Sequence, residues 1–328
     1  MRVLVTGGAG FIGSHACKAL AAAGHEVVVY DNLSTGHASA VRWGPLERGD
    51  IRDGEQVRAV LERHRPDLVM HFAALAYVGE SMADPAAYYD VNVAGTSALL
   101  NAMKSNCVRN IVFSSTCATY GIPEELPIRE ASPQKPVNPY GFTKLCVERM
   151  LQDFERAYGL RWMSLRYFNA AGADPEGELG ENHLPETHAL PLAIRAALRR
   201  GPAFQVLGQD FDTPDGSAIR DYIHVTDLSD AHVRAAEHLA RGGESLALNL
   251  GTGRGTSVFE LIDAVGAVTG RDVPVVCAPR RAGDPPCLYA DATLARQVLG
   301  WTPSYSGLPT IVATAVAWFA HDEAAEAA

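Results

Sequence analysis

The chain has 328 residues, a formal net charge of −10 and a hydrophobic fraction of 47%. This length and this ordinary composition predict a globular protein with one large or two ordinary domains. The negative charge provides no overall attraction to nucleic acid or to an anionic membrane, so we expect neither as a partner.

The sequence also lacks the signs of export and of metal binding. A strand is predicted from residue 2, where a secretory leader would stand, and no apolar run reaches the ~20 residues of a membrane span. The six cysteines show neither C-x-x-C spacing nor a zinc spacing with histidine. We therefore expect a cytoplasmic protein with free thiols and no metal.

The N-terminal stretch up to Asp31 predicts a dinucleotide-binding turn. Residues 3–5 form an apolar run typical of a buried strand, and residues 14–23 favour a helix. Between them lie Gly7, Gly8, Gly10 and Gly13. Such glycines let the backbone bend tightly and approach a pyrophosphate at the helix N-terminus. Asp31 ends the next predicted strand, where an acidic side chain can hold the ribose hydroxyls of NAD and would repel the extra phosphate of NADP.

Strands alternate with helices through the first half of the chain. Strands are predicted at 26–30, 67–72 and 110–115, and helices at 55–64 and from Asp84 onward. This alternation predicts an α/β fold with a Rossmann-type, doubly wound parallel sheet that binds ligands at the carboxyl ends of its strands. We assign 1–169 to this domain, with a return of the chain near 218–250, and 170–328 mainly to a smaller α/β substrate domain.

Some positions in this half allow more than one interpretation. Asp50 and Ile51 lie at a strand end and could flank an adenine, whereas Asp53 could simply cap the following helix. Asn92 is a poor helix former in the middle of a predicted helix, which suggests that it bonds the neighbouring loop.

Acid–base chemistry is predicted where the strand at 110–115 ends. Thr116 leaves that strand, and Tyr140 and Lys144 stand four residues apart on one face of a helix that Pro139 can start. A free tyrosine has a pKa of about 10, which a nearby ammonium and a cationic nicotinamide would lower. With Thr116 ordering the proton path, the set could remove a proton from an alcohol while hydride leaves its carbon.

The second half of the chain begins with a long polar loop at 172–188, which its length marks as functional. Helices are predicted at 190–200, 225–240 and 259–269, and strands at 204–207 and 246–250, the latter rejoining the main sheet. Arginine suits bidentate phosphate recognition, so Arg220 could bind a diphosphate. The alternative is an ion pair between Arg220 and Asp221 or Asp227.

Several motifs together allow a comparison with a known family. They are Thr6-Gly-Gly-Ala-Gly-Phe-Ile-Gly13, His71-Phe-Ala-Ala74, Val78-Gly-Glu-Ser81, Ser114-Ser-Thr116, Tyr120-Gly121, Asn138-Pro-Tyr-Gly141, Arg166-Tyr-Phe-Asn169, Arg220-Asp-Tyr-Ile-His224 and Arg280-Arg-Ala-Gly-Asp284. With these motifs the chain resembles the extended short-chain dehydrogenase/reductase family and, within it, the UDP-glucose 4-epimerases. The resemblance implies reversible C4 epimerisation of UDP-glucose and UDP-galactose through a 4-keto intermediate, tightly bound NAD and a homodimer.

The resemblance also implies roles for single residues. Positions that hold NAD in the family are Gly7, Gly10, Phe11, Ile12, Asp31, Asn32, Asp50, Ile51, Phe72, Ala73, Ala74, Asn92, Ser114, Tyr140, Lys144 and Tyr167. Positions that contact the UDP-sugar are Thr116, Tyr140, Asn169, His188, Leu207, Arg220, Arg281, Asp284 and Leu288. Tyr140, Lys144 and Thr116 are the implied catalytic residues.

Three positions depart from the family pattern. Ala76 and Tyr77 stand where some members carry a lysine near the NAD phosphates, and Thr187-His188 stands where some carry paired asparagines near the sugar. Leu288 is of medium size at a position where relatives carry a large or a small gate residue. The sequence therefore leaves UDP-pentose (xylose or arabinose) and UDP-N-acetylglucosamine open as alternative substrates.

Two rival functions are weaker. Nucleotide-sugar 4,6-dehydratases and decarboxylases place Asp or Glu directly after the Ser/Thr strand, whereas Cys117 and Ala118 follow Thr116 here. A non-catalytic NAD sensor would need neither the Tyr140–Lys144 pair nor the arginine set.

Overall fold

The computed structural model describes residues 1–280 and 284–326, with the side chains of 321–326 excepted. The strands are β1 (Arg2–Thr6), β2 (Glu26–Asp31), β3 (Leu46–Arg48), β4 (Leu68–His71), β5 (Asn110–Thr116), β6 (Arg161–Tyr167), β7 (Asn169–Ala171), β8 (Phe204–Leu207), β9 (Ile219–Arg220), β10 (Tyr222–His224), β11 (Leu246–Leu250), β12 (Thr256–Ser257), β13 (Val275–Ala278) and β14 (Cys287–Leu288). The helices are α1 (Phe11–Ala22), α2 (Gly54–His64), α3 (Val78–Ala83), α4 (Pro85–Tyr88), α5 (Thr96–Ser105), α6 (Pro139–Tyr158), α7 (Ala189–Ala197), α8 (Val225–Ala240), α9 (Val258–Thr269), α10 (Thr293–Leu299) and α11 (Leu308–Glu326).

A seven-stranded parallel sheet forms the centre of the molecule, with the strand order β11-β6-β5-β4-β1-β2-β3. The order reverses between β1 and β4, as in a doubly wound sheet. Because every pair is parallel, the carboxyl ends of the strands meet at one edge. The predicted α/β fold is confirmed, and so is the return of the strand at 246–250 to this sheet.

Apolar side chains cover both faces of the sheet. Val3 and Val5 of β1 belong to the core under α1 and α8, while Leu4 between them belongs to the core under α2, α5 and α6. Successive strand residues point to opposite faces, so only a continuous apolar run can serve two cores at once. This requirement explains why the buried strands could be recognised in the sequence.

The ends of the helices follow local capping signals. The Asn138 side chain accepts a hydrogen bond of 2.8 Å from Gly141 N at the start of α6, and Pro139 is its first residue. Asp53 caps α2 by accepting a hydrogen bond of 3.0 Å from Gln56 N. The capping interpretation of Asp53 is therefore correct, while Asp50 does not cap this helix and pairs with Arg52.

The helix predicted after Asp84 has an interruption that the sequence pattern did not predict. Helix α4 leads into a π-helical turn at Tyr89–Gly95 before α5 continues. Asn92 lies in this turn with 2% exposure. A π turn shifts the helix face by one residue, and such turns are frequent at functional sites.

The remaining strands form small sheets beside the main one. β10 pairs with β7, β9 lies between β12 and β14, and β13 pairs with β8. Helices α7, α9 and α11 surround a separate core that includes Ala193, Val265 and Ile311. Among the described helices, none combines the length and apolarity that a membrane-spanning segment requires.

Candidate active site

The turn between β1 and α1 is built for close backbone approach. Gly7 has φ +74°, and a Cβ there would lie 2.5 Å from Ala73 N. A Cβ on Gly13 would lie 2.2 Å from Gly7 O. Because the first amides of a helix have no intrahelical partners, this turn presents free N–H groups where Phe11 and Ile12 begin α1. The geometry fits the pyrophosphate of a dinucleotide.

Acidic and amide side chains lie beyond the ends of β2 and β3. The two carboxylate oxygens of Asp31 accept hydrogen bonds from Ala9 N (3.0 Å) and Leu33 N (2.8 Å). Each oxygen keeps acceptor capacity for a ribose hydroxyl. Asn32 donates to Asp50 at 3.0 Å, and the Arg52 guanidinium holds the pKa of the Asp50 carboxyl well below its usual range.

The segment after β4 lies against the glycine turn. Phe72 N and Ala73 N both donate to Thr6 O, at 2.9 and 3.1 Å. Asn92 fixes the following residues, because its side chain bonds Leu75 N at 2.8 Å and Leu75 O at 3.0 Å. The expectation that Asn92 bonds the neighbouring loop is confirmed. Ala74 lies between these two anchors, whereas Ile51 is a core residue with 5% exposure.

The predicted acid–base residues meet at the end of β5. Lys144 Nζ lies 6.0 Å from the Tyr140 ring centroid and donates to Ser114 O at 2.9 Å. Thr116 is buried at the carboxyl end of β5, while Tyr140 is half-buried. Tyr140 also packs edge-on against Tyr88, with ring centroids 6.4 Å apart. The helical spacing of Tyr140 and Lys144 thus produces the expected shared face.

The side chain of Tyr167 completes this corner. Its hydroxyl shares a hydrogen bond with the Ser114 hydroxyl, and burial raises the pKa of Tyr167 above its usual range. In the sheet, Tyr167 of β6 is the register partner of Thr116 in β5, two residues beyond Ser114.

The pKa values of the central pair differ from expectation. Burial raises the pKa of the Tyr140 phenol to about 12, against an opposing hydrogen bond from Thr116. Burial also lowers the pKa of the Lys144 amine to about 7. The acidification of Tyr140 is predicted from Lys144 together with a cationic nicotinamide, and in the protein chain by itself desolvation outweighs the hydrogen bond from Thr116. A further positive charge, such as a nicotinamide ring, is needed to favour the phenolate.

A buried ionic network behind β5 was missed in the sequence. Arg166 and Glu148 form an ion pair of 2.6 Å with side-chain exposures of 6% and 2%. Ser115 donates to Glu148 at 2.6 Å, and Arg166 donates to Tyr120 at 2.8 Å. The network holds Ser115, the strand residue next to Thr116. The motifs that contain Tyr120 and Arg166 were recognised in the sequence, but the contacts between these side chains were not predicted.

Two of the predicted substrate residues are brought together by strand pairing. Arg220 in β9 pairs with Leu288 in β14. Burial raises the pKa of the Cys117 thiol to about 12 against the positive charge of Arg220, which places this charge near the end of β5. Asn169 starts β7, and its N–H donates to Asp221 O at 3.0 Å.

Within residues 1–280 and 284–326, Arg220 does not form the ion pair with Asp221 or Asp227 that was its alternative role. Asp221 accepts hydrogen bonds from Thr252 and Ala290 instead, and Asp227 accepts them from residues 304–306. The Arg220 guanidinium donates to Ile219 O at 2.8 Å. No ion pair to a carboxylate of the described residues therefore competes with a ligand for Arg220.

The other predicted substrate residues are less closely grouped. Leu207 ends β8, and a cleft of about 580 Å³ lined by 208–210 and 277–280 opens beyond it. Asp284 directly precedes the segment leading to β14, whereas Arg281 lies outside the described residues. His188 precedes α7, and its Nδ1 lies 2.9 Å from carboxylate oxygens of both Glu181 and Glu186.

His188 belongs to a four-residue cluster that was also missed in the sequence. Its members are Glu181, His183, Glu186 and His188. The sequence pattern that could have predicted this cluster is the presence of four side chains of metal-ligand type within eight residues of the long polar loop. The carboxylates raise the pKa of His188 to about 10, against the effect of burial.

Comparisons with known proteins agree with this geometry. Residues 3–251 match the NAD dependent epimerase/dehydratase family. The chain is 56% identical to a UDP-glucose 4-epimerase of Rhizobium meliloti, over 96% of each chain. It is 58% identical to the UDP-glucose 4-epimerase of Brucella ovis, solved in complex with NAD, with a TM-score of 0.95 over 97% of this chain and 98% of that one. A UDP-glucose-4-epimerase of Stenotrophomonas maltophila, solved with NAD and formylated UDP-arabinopyranose, is 41% identical with a TM-score of 0.96 over 99% of each chain. The chain belongs to the NAD dependent epimerase/dehydratase family.

Proposed function

We propose that the protein catalyses the reversible C4 epimerisation of UDP-glucose and UDP-galactose, with NAD as a tightly bound cofactor. The single observation that carries this proposal is the half-buried Tyr140 phenol, grouped with Lys144 and Thr116 at the carboxyl edge of the sheet. Relatives with 56% and 58% identity carry the same activity in their names.

The acid–base step rests on Tyr140. The phenolate takes the proton from the C4 hydroxyl, and the phenol returns it after the sugar has turned over. Thr116 orders this proton path, and Lys144, in its protonated form, adds positive charge beside the ring. When bound, NAD supplies the hydride acceptor and then the hydride donor at C4, and its cationic ring supplies the charge that favours the phenolate.

The proposed substrate residues separate anchoring from chemistry. Arg220, Arg281 and Asp284 hold the UDP portion, while Asn169, His188 and Leu288 lie toward the sugar. Because inversion requires the 4-keto sugar to present its other face, the nucleotide must stay fixed while the sugar is held loosely. Leu207 fits the uracil end.

A UDP-pentose is the second candidate substrate. A relative with 41% identity is solved with a formylated UDP-arabinopyranose. A pentose lacks the C6 group of a hexose, and no proposed contact of this chain depends on that group. UDP-N-acetylglucosamine stays a further alternative because of Leu288.

A dehydratase is disfavoured by the surroundings of Tyr140. Cys117 and Ala118 follow Thr116 at the end of β5, so neither of these two positions carries a carboxylate. A second acid or base is required for elimination at a neighbouring carbon.

Substrate preference is tested by offering the purified protein UDP-galactose, UDP-arabinopyranose and UDP-N-acetylgalactosamine separately. We expect UDP-glucose from UDP-galactose at the highest kcat/KM, with unchanged product mass. A product lighter by one water would indicate a dehydratase instead, and a higher kcat/KM for the pentose would reverse the substrate order.

We also propose a homodimer in the cytoplasm. The division into a NAD-binding part at 1–169, with a return near 218–250, and a UDP-sugar-binding part mainly at 170–328 is a proposal as well. The separate core under α7, α9 and α11 supports this division.

A further inference from the structure

The cluster of Glu181, His183, Glu186 and His188 has no role in the proposed reaction beyond a sugar contact of His188. All four side chains come from the loop before α7. One donor atom from each lies within 4.8 Å of the others. Two carboxylates and two imidazoles form a donor set that divalent transition metals prefer.

The carboxylate and imidazole atoms of the cluster lie at separations close to those between the ligands of a four-coordinate ion. His188 Nδ1 lies 2.9 Å from Glu181 Oε1 and from Glu186 Oε1. His183 Nδ1 lies 3.2 Å from Glu181 Oε1 and 3.9 Å from Glu186 Oε2. With metal–ligand distances of about 2.1 Å, the edges of a tetrahedron are about 3.4 Å long. The four separations, from 2.9 to 3.9 Å, lie on both sides of this value, with Glu186 offering Oε1 to His188 and Oε2 to His183.

One carboxylate oxygen points independently to a ligand. Glu186 has a side-chain exposure of only 1%. Its Oε1 accepts hydrogen bonds of 2.8 Å from Thr187 N and His188 N. Its Oε2 is buried and accepts no hydrogen bond from the described residues. A buried carboxylate oxygen without a donor is costly, and a bound cation would remove that cost.

We propose that these four residues bind one divalent transition-metal ion, with zinc as the preferred ion. The two carboxylates balance its charge, and the two imidazole nitrogens select against magnesium and calcium, which prefer oxygen ligands. This proposal departs from the sequence-based expectation of no metal, and it does not depend on the proposed epimerase activity.

The position of the site suggests what the ion does. The Tyr77 ring lies 6.0 Å from the His183 ring, and the Phe11 ring lies 6.3 Å from it. Trp318 of α11 donates to Glu181 O at 3.2 Å, and His37 bonds Asn182 O at 3.1 Å. The loop thus runs between the dinucleotide turn and α11. A metal would fix the last residues of the loop beside the dinucleotide turn.

Zinc binding can be measured on the full-length protein after dialysis against a chelator. We expect calorimetry with zinc chloride to give one site per chain, with no displacement by excess magnesium or calcium. Cobalt(II) should give the intense visible absorption of a four-coordinate ion. Glu186→Gln and His183→Ala should each weaken zinc binding by about 100-fold or more, since even indirect partners of a metal contribute 10–100-fold.

Glu176→Gln is the matched control. This carboxylate lies in the same loop, is 74% exposed and pairs with Lys18, so its loss should leave zinc affinity unchanged. The proposal is overturned if the unaltered protein shows neither the calorimetric site nor the cobalt absorption. Equal zinc affinity in Glu186→Gln and His183→Ala would overturn it too, because the ion would then bind elsewhere. The cobalt spectrum of the unaltered protein decides the matter even if a variant fails to fold.

Discussion

At the scale of single residues, Tyr140 is the side chain on which proton transfer depends. Tyr140→Phe keeps the ring and its edge-on contact with Tyr88 but removes the hydroxyl. We expect kcat to fall by roughly 10²–10⁴-fold, the usual contribution of a positioned acid–base group. UDP binding should be unchanged, as calorimetry can verify. Tyr89→Phe, on an exposed ring of the π turn, is the control and should retain turnover. Full activity of Tyr140→Phe would remove the proposed base.

Lys144 makes the stability of the fold depend on pH. Its pKa is lowered from 10.5 to about 7 by burial, so between these values the unfolded chain binds a proton that the folded chain lacks. The contribution of Lys144 to the free energy of unfolding therefore increases as pH rises through this window. Urea unfolding at matched cofactor content should show a stability difference between the unaltered protein and Lys144→Met that increases from pH 7 to pH 10. Lys104→Met, at an exposed lysine of α5, should give a difference that is flat with pH.

At the scale of secondary-structure elements, the π turn depends on Asn92. Its side chain bonds the N–H and C=O of Leu75 and the Thr143 hydroxyl. Asn92→Ala leaves these half-buried groups without partners and should lower the free energy of unfolding by about 1–3 kcal/mol. Asn101→Ala removes an exposed side chain whose one hydrogen bond among the described residues goes to Ser97 O in its own helix, so its effect should stay within about 0.5 kcal/mol. Equal urea midpoints for both variants would contradict this role of Asn92.

Helices and strands could be predicted where a single local sequence pattern determines them. The helix predicted at 225–240 coincides with α8, and the buried strands of the main sheet follow from runs such as that in β1. The π turn was not predictable, because it depends on hydrogen bonds between Asn92 and a loop that is distant in sequence. The two-residue strands β9, β12 and β14 form only by pairing with one another in a small sheet. Likewise, the positions of Tyr140 and Lys144 followed from helical spacing, but their pKa values depend on burial that no sequence pattern reports.

At the scale of the whole molecule, the parallel sheet and the small sheets beside it enclose the proposed site from two sides. The sheet edge supplies the cofactor residues, and β7, β9 and β14 supply Asn169, Arg220 and Leu288. These short strands are held in place by pairing with distant parts of the chain. The proposed substrate residues therefore come from the second half of the sequence, although the acid–base residues that they serve come from the first half.

The outer surface of the first half predicts self-association. Phe142 of α6 is 45% exposed and Tyr89 of the π turn is 42% exposed, with ring centroids 6.3 Å apart. Exposed aromatic pairs are typical of protein interfaces. We expect light scattering to give twice the chain mass of 35.1 kDa, and Phe142→Glu to shift the protein to the monomer. Val276→Glu, at a 53% exposed position of β13, should leave the dimer intact. A dimer that persists in Phe142→Glu would place the interface elsewhere. Tyr140 lies two residues from Phe142 on the same helix, so the turnover of a monomeric variant would also show whether dimer formation supports catalysis.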